Sequence, residues 1–419
     1  MARTKDRFVD ALHRGSKGRY LCRMPFGPPR PPTPRPPSIP GLLQSGLGLL
    51  PGEQLGSELL LEANAAMWAV VLAGGIGSRF WPLSSPERPK QLLRLVGERP
   101  LIADGVARLQ PLVPSERVLV LTSADIADAI RAAIPHVPEY NMLVEPEPLG
   151  TAAAVARGTA EITRRAGPDS LIVAMHADLA IAFPDAFRHT LRLAGGVAAR
   201  DDVIATIGVR PTRVEPGFGH LELGDSWRLD YPSSSGGPAV VERFVEKPPP
   251  EEAARLMAAG ALWHAGVAVW RARVLTAALR TATPEVADAL DLLAAGDTTR
   301  YATMVRPISI ERGLFERSAN LVAVPGDFGW DDVGTWASLR RARELDDDGN
   351  GVGGGGAVHF VDASGNIVHA EGASAVALYG VDGLLVVSVD GTTFVTTVER
   401  AADLKALLDD LPPDVRARP

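Results

Sequence analysis

The sequence predicts an α/β protein: a mixed, mostly parallel sheet flanked by helices, with a small β-rich region at the C-terminal end. Three patterns predict it. From Met67 to about residue 210, short solid apolar runs alternate strictly with amphipathic stretches, which implies parallel crossovers with helices covering the sheet faces. Beyond 210 the alternation becomes mixed. After the run "DDDGNGVGGGG" the chain reads as short apolar segments separated by turn residues, as short strands do.

The elements follow in order. "WAVVLA" reads as a buried strand, and "PLIADGVARLQPL" sets Ile102, Val106 and Leu109 at helical spacing behind Pro100, a residue suited to a first helical position. "RVLVLTS" is a strand, "DIADAIRAAI" a helix, "NMLVEP" a strand and "TAAAVARGTAEITRRA" a helix. "SLIVAMHAD" and "DVIATIGV" are strands on either side of a helix around "DAFRHTLRLAGGVAA". Then come strands "AVVERFVEKP" and "LWHAGVAVW", separated by a helix in "PEEAARLMAAG", and a helical "VLTAALRTA". The strand "LVAVPGD" and a helix in "VGTWASLRRARE" close this part. Ligands of such sheets bind beyond the carboxyl ends of the strands, which selects the loops after Ala73, Ser123, Val144 and Met175.

The resulting division is a Pro-rich extension over 1–66, a main α/β domain over 67–345, a Gly-rich linker over 346–356 and a small β domain with a terminal helix over 357–419. The tract "PFGPPRPPTPRPPSIPG" suits neither a helix nor a central strand, because proline lacks an amide donor and fixes φ. The extension reads as a disordered tail, or as sequence upstream of a true start at Met67. A net charge of -7 argues against general nucleic-acid binding. No apolar run is long enough to cross a bilayer, and the single Cys22 excludes an internal disulfide and fits a cytoplasmic setting.

The stretch "LAGGIGSRFWPLSSPERPKQLL" carries the chemistry. A dinucleotide fingerprint needs a glycine where Phe80 stands, and a Walker A loop needs a Gly-Lys-Ser/Thr that is absent. What remains is a turn through Gly74, Gly75 and Gly77 whose amides can approach phosphate oxygens, followed by the cations Arg79 and Lys90. A plain tight turn with surface cations fits the stretch equally well.

This stretch resembles the signature of the sugar-nucleotide pyrophosphorylases, and within them most closely the mannose-1-phosphate guanylyltransferase branch. In the same order, "EPEPLGTAAAV", "MHADLAI", "RFVEKP", "LWHAGVAVW", "SIERGLFERS" and "FGWDDVGTW" resemble further motifs of that family. The resemblance runs from Met67 to about Leu411. It implies a Rossmann-like nucleotidyltransferase fold with a β-helix-like appendage that serves dimer contacts. It also implies transfer of a guanylyl group from GTP to mannose 1-phosphate. Such a reaction needs no protein nucleophile, since the sugar phosphate is already ionised, so catalysis is alignment and charge neutralisation.

The resemblance makes Asp178 and Asp332 the ligands of Mg²⁺, which takes one or two carboxylates and completes its shell with phosphate and water. Read by position alone, Asp178 is equally a strand-end turn residue and Asp332 equally the cap of the helix expected after it. The resemblance further implies Arg79 on the triphosphate, Lys90 at the reacting centre and Lys247 on the phosphate of mannose 1-phosphate. Leu72, Gly74, Gly75, Gly77, Ser78 and Glu145 would line the nucleotide pocket. Thr151, Glu246, His264 and Glu316 would face the sugar, although Thr151 also reads as a helix cap. Trp330 and Trp336 read as packing residues. Departures from the family pattern gather on the sugar side: His176 for proline, Leu179 for histidine, His264 for asparagine and Glu311 for aspartate. They leave open two alternatives, the same chemistry with glucose 1-phosphate and UTP or dTTP, and a non-catalytic sugar-nucleotide-binding relative.

Overall fold

The computed structural model describes residues 67–75, 80–227, 236–412 and 415, so the Pro-rich extension and the expected phosphate contacts Gly77, Ser78 and Arg79 lie outside the described residues. Among the described residues, eleven strands build the main part: β1 (Trp68–Leu72), β2 (Val118–Ser123), β3 (Met142–Glu145), β4 (Leu171–His176), β5 (Ala180–Ile181), β6 (Ile204–Val209), β7 (Gly219–Ser226), β8 (Ala239–Glu246), β9 (Leu262–Arg271), β10 (Leu321–Gly326) and β11 (Trp330–Asp331). Nine of them form one sheet in the order β3-β2-β1-β4-β9-β6-β10-β8-β7.

The strands β3, β2, β1 and β4 are parallel neighbours, as strand–helix alternation requires. The strict parallel reading fails at β4 and β6, which are not neighbours, because β9 lies between them and runs antiparallel to both. That insertion follows from burial: β9 shows no exposed residue over its ten positions, which suits a strand with neighbours on both sides and layers on both faces. Apolar clusters lie on each face, one gathered around Phe187, Leu191 and Val197 of the helix Pro184–Asp201, the other around Ala152, Val155 and Ile162 of the helix Thr151–Ala166.

Gly150 shows why the second helix starts where it does. Its φ is +82°, and a Cβ there would lie 2.5 Å from the carbonyl oxygen of Ile308. Gly150→Ala should therefore cost about 2 kcal/mol or more of stability, readable as a lower Tm, and a Tm equal to wild type would show that the 308 loop yields freely.

Six further strands follow among the described residues: β12 (Gly351–Gly353), β13 (Ala357–Val361), β14 (Ile367–Ala370), β15 (Ala375–Tyr379), β16 (Leu384–Val389) and β17 (Thr392–Thr397). The chain alternates between two parallel layers, β12-β14-β16 and β13-β15, with β17 added antiparallel. Here the expected linker is corrected, since its residues 351–353 are a strand of this coil. Its glycines permit close approach, and a Cβ on Gly354 would sit 2.3 Å from the Ala370 oxygen. A buried asparagine ladder pins the corners: Asn350 Oδ1 accepts from Asn366, and Asn366 Oδ1 accepts from the Leu384 amide. Nor is the coil a separate appendage. Phe80, Leu83, Leu93 and Trp336 share one apolar core with Ile367, Leu385, Val387 and Phe394.

Candidate active site

The carboxyl ends of the central strands and the start of "WDDVGTW" meet through the two-stranded ribbon β5–β11, in which Asp331 pairs with Ala180. Antiparallel pairing there brings Asp332, just past β11, alongside Asp178, just before β5. Asp332 does not cap a helix, contrary to that sequence reading. Val333 follows it at φ +46°, and the next turn, Trp336–Ser338, is capped by Thr335. A β-branched residue with positive φ is a strained position of the kind that persists where surrounding structure holds it.

Asp178, Asp332, Thr151, Glu246, Lys247 and His264 all line one cavity of about 700 Å³. Lys90 does not itself line the cavity, but its Nζ lies 2.7 Å from Asp178 Oδ2 and donates to the Asp332 carbonyl at 2.7 Å. Enclosure disfavours ionisation of Asp178, but the Lys90 and His176 charges outweigh it and hold its carboxyl below the usual range. Asp332 is pushed up instead, by enclosure first and by the neighbouring Asp178 charge, with Lys90 opposing. Two carboxylates thus face one space with a single lysine between them. Among the described residues no group of three or more His, Cys, Asp or Glu is arranged to hold a metal, so the available donor set is the two carboxylates with their hard oxygens. That set fits a hard divalent cation completing its shell with phosphate and water, and does not fit zinc held by the protein alone.

Lys90 belongs to a short segment doing more than the sequence suggested. Gln91, next to it, donates to the carbonyls of Ala73 (3.1 Å) and Gly75 (3.3 Å), so it braces the glycine turn. Gly74 and Gly75 are exposed just past the end of β1, and among the described residues a Cβ on either would meet nothing within 4 Å. Gln91 was missed by sequence reasoning, although it stands inside the signature "PKQLL".

Lys247 has φ +53°, a second strained position at the cavity, and its ammonium lies 2.5 Å from Glu246 Oε1. Glu316 is not among the cavity-lining residues. Its Oε1 accepts the Glu246 amide at 2.8 Å, so it supports the motif from behind rather than facing a sugar. Thr151 is not a helix cap, since Gly150 holds that position and the Thr151 hydroxyl accepts the Ile310 amide at 2.8 Å. Glu145 and Leu72 do not line this cavity either. Glu145 ends β3, buried, with its carboxyl pushed up to about 7 by burial against the opposing charge of Arg157. Leu72 lines a small void behind His176. Trp336 is fully buried with its indole N–H on the Trp81 carbonyl, as packing requires, whereas Trp330 also lines the cavity.

The departures from the family pattern meet one another. His176 Nε2 lies 3.6 Å from Glu311 Oε1, both on the cavity wall. Burial alone would lower the imidazole's pKa, but the nearby Glu311 carboxylate, aided by the charges of Asp178 and Asp332, raises it to about 9. Burial would likewise raise Glu311, yet His176 holds it at about 2. His264 differs: burial lowers its pKa to about 4, its Nδ1 meets the Thr206 hydroxyl at 2.9 Å, and its ring lies edge-on to Phe244. It is a neutral wall residue.

The pair predicts a pH dependence. A histidine whose folded-state pKa is raised stabilises fully below its ordinary 6.5 and loses that contribution as pH rises through about 9. The Glu311 contribution is present above its ordinary 4.5 and is lost as pH falls toward about 2. Wild-type Tm should therefore fall more steeply between pH 6.5 and 9 than that of Glu311→Gln. Parallel Tm curves would show that the pair carries no coupling.

Comparison with known proteins bears on this geometry. A family model described as nucleotidyl transferase matches residues 68–349. A mannose-1-phosphate guanylyltransferase of Sinorhizobium fredii is 31% identical over 358 residues, covering 82% of this chain and 67% of its own. One from Escherichia coli (strain K12) is 30% identical over 369 residues, covering 84% and 75%. Among solved structures, a Thermus thermophilus protein described as a mannose-1-phosphate geranyltransferase superposes with a TM-score of 0.74 at 31% identity, covering 82% of this chain and 98% of that one.

Proposed function

Since the chain belongs to the nucleotidyl transferase family, we propose that it transfers a guanylyl group from GTP to α-D-mannose 1-phosphate, giving GDP-mannose and pyrophosphate. The observation that carries the reading is the meeting of Asp178 and Asp332 at one cavity that Lys247 also lines, with the Lys90 ammonium against Asp178 and the Asp332 carbonyl. These residues come from four distant segments, and their types suit an in-line exchange at phosphorus, in which charge must be neutralised and two substrates aligned.

Lys90 supplies positive charge where the α-phosphate reacts, and Lys247 receives the phosphate of the sugar. Gln91 keeps the glycine turn shaped for the triphosphate, with Arg79 drawing charge toward the leaving pyrophosphate. Asp178 and Asp332 hold a divalent cation, which we take to be Mg²⁺. When bound, it screens the phosphate oxygens and orients them. Glu246, with its carboxyl pushed up by burial and steadied by Lys247, accepts hydrogen bonds from sugar hydroxyls. Pairing of two copies through the C-terminal coil, where Val361 and Tyr379 are exposed, belongs to the same proposal.

A second reading keeps the chemistry with glucose 1-phosphate and UTP or dTTP. It is favoured by the His176–Glu311 pair on the cavity wall, where the family pattern has neither residue. Pyrophosphate release, measured with Mg²⁺ for each of four nucleoside triphosphates with each sugar phosphate, decides between them. Release confined to GTP with mannose 1-phosphate is expected. Release only with another pair reassigns the substrates, and none from folded protein overturns the reaction.

A further inference from the structure

The segment that carries Lys90 has a third tether, and it leaves the main domain. Arg88 donates through its two terminal nitrogens to the two oxygens of Glu371, both at 3.0 Å, and Glu371 directly follows β14 of the coil. A bidentate guanidinium–carboxylate pair sets direction as well as distance. Behind Glu371 runs an enclosed relay. His369 Nε2 lies 3.3 Å from Glu371 Oε1, and its Nδ1 lies 2.7 Å from Arg343. Arginine has no lone pair to offer, so Nδ1 accepts and the imidazole proton sits on Nε2, which donates to Glu371. Arg343 is anchored in turn, donating to the carbonyl of Leu95 at 2.8 Å.

The surroundings are built around this relay. His369 is fully buried and meets the Trp336 ring edge-on at 5.7 Å. Gly353 leaves room for Arg343, since a Cβ there would lie 2.5 Å from the guanidinium carbon. An isolated surface ion pair would position little. Here the carboxylate is held from behind by the buried His369, itself fixed by the buried Arg343, before it meets Arg88.

We propose that Glu371 is a positioning residue for nucleotidyl transfer, clamping Arg88 so that Lys90 meets Asp178 and the reacting phosphate in register. The connection from Arg88 to Lys90 has little slack. Ser85 and Arg88 exchange backbone hydrogen bonds at 3.1 and 3.2 Å, Pro89 follows, and Lys90 opens a short 3₁₀ turn. The C-terminal coil is thereby part of the catalytic frame. This inference rests on the function proposed above.

The test is a double-mutant cycle in kcat, using pyrophosphate release with GTP and mannose 1-phosphate, on wild type, Arg88→Ala, Glu371→Ala and the double variant. Each single variant should lose about tenfold to a hundredfold in kcat. The KM for mannose 1-phosphate should stay within about twofold, because Lys247 lies on another segment. The double variant should be no slower than the slower single one, since both remove one clamp. Unchanged kcat in the singles, or losses that multiply in the double, would overturn the proposal. So would losses that track Tm alone, which would mark a merely structural pair. An inactive wild type would overturn the transfer reading itself and is distinguishable from all of these.

Discussion

Asp332→Asn is expected to abolish most turnover while leaving the fold as stable as before, or slightly more so. The substitution keeps the shape and removes one of the two carboxylates facing the cavity, so a loss of about 10²–10³-fold in kcat is the minimum expected for a preorganised charge at a phosphoryl-transfer centre. The stability half follows from the sign of the Asp332 shift. Its pKa is raised in the folded protein, by enclosure first and by Asp178 next, so its ionised form is disfavoured by folding. That penalty is absent at low pH and grows as pH rises past the ordinary carboxylate value. Asparagine carries no such penalty, and Lys90 keeps its contact with Asp178. Pyrophosphate release together with thermal melting at pH 7 checks both halves. Near-normal turnover would remove Asp332 from the reaction, and a large fall in Tm would show that its side chain is structural.

Lys90→Met should fail differently. It removes the charge that Asp178 and the Asp332 carbonyl share, while a side chain of similar length keeps the packing. Turnover should again fall by about 10²–10³-fold. This time stability should fall too, because two carboxylates are left facing each other with only the His176 charge to offset them. Breaking an enclosed pair costs about 3 kcal/mol, and less here because the Asp178 side chain is 30% exposed. Added Mg²⁺ should raise the Tm of Lys90→Met by more than it raises that of wild type, since the metal replaces the missing charge. Equal shifts would mean that the two carboxylates do not share a cation.

The two substitutions separate what neighbouring residues do in one site, and the same separation runs through the legibility of the fold. Apart from the two-residue β5, helix and strand positions up to β6 were readable because apolar periodicity is a local property. "TAAAVARGTAEITRRA" became the helix Thr151–Ala166 residue for residue. Pairing partners were not readable, and β9 entering between β4 and β6 depends on contacts between segments far apart in sequence. The ribbon β5–β11 was invisible for another reason. Its strands are two residues long and carry no period, yet it is what joins Asp178 to Asp332.

The glycine-rich run at 346–356 misled because composition cannot distinguish a flexible tether from a tight corner. Both need residues without a Cβ, and only the proximity of Ala370 and Arg343 shows which it is. His176 and Glu311 were each noticed as departures, but nothing in their spacing predicted an ion pair.

By itself the sequence determined the types of the longer elements and offered candidate groups for handling phosphate, because these follow from side-chain chemistry and local period. Only the tertiary structure decided which acids share a space, that Glu316 braces the FVEKP segment from behind, and that the C-terminal coil reaches Arg88. The physical reason is that ion pairing and cation binding act over a few ångströms, and the chain brings such distances about only by folding.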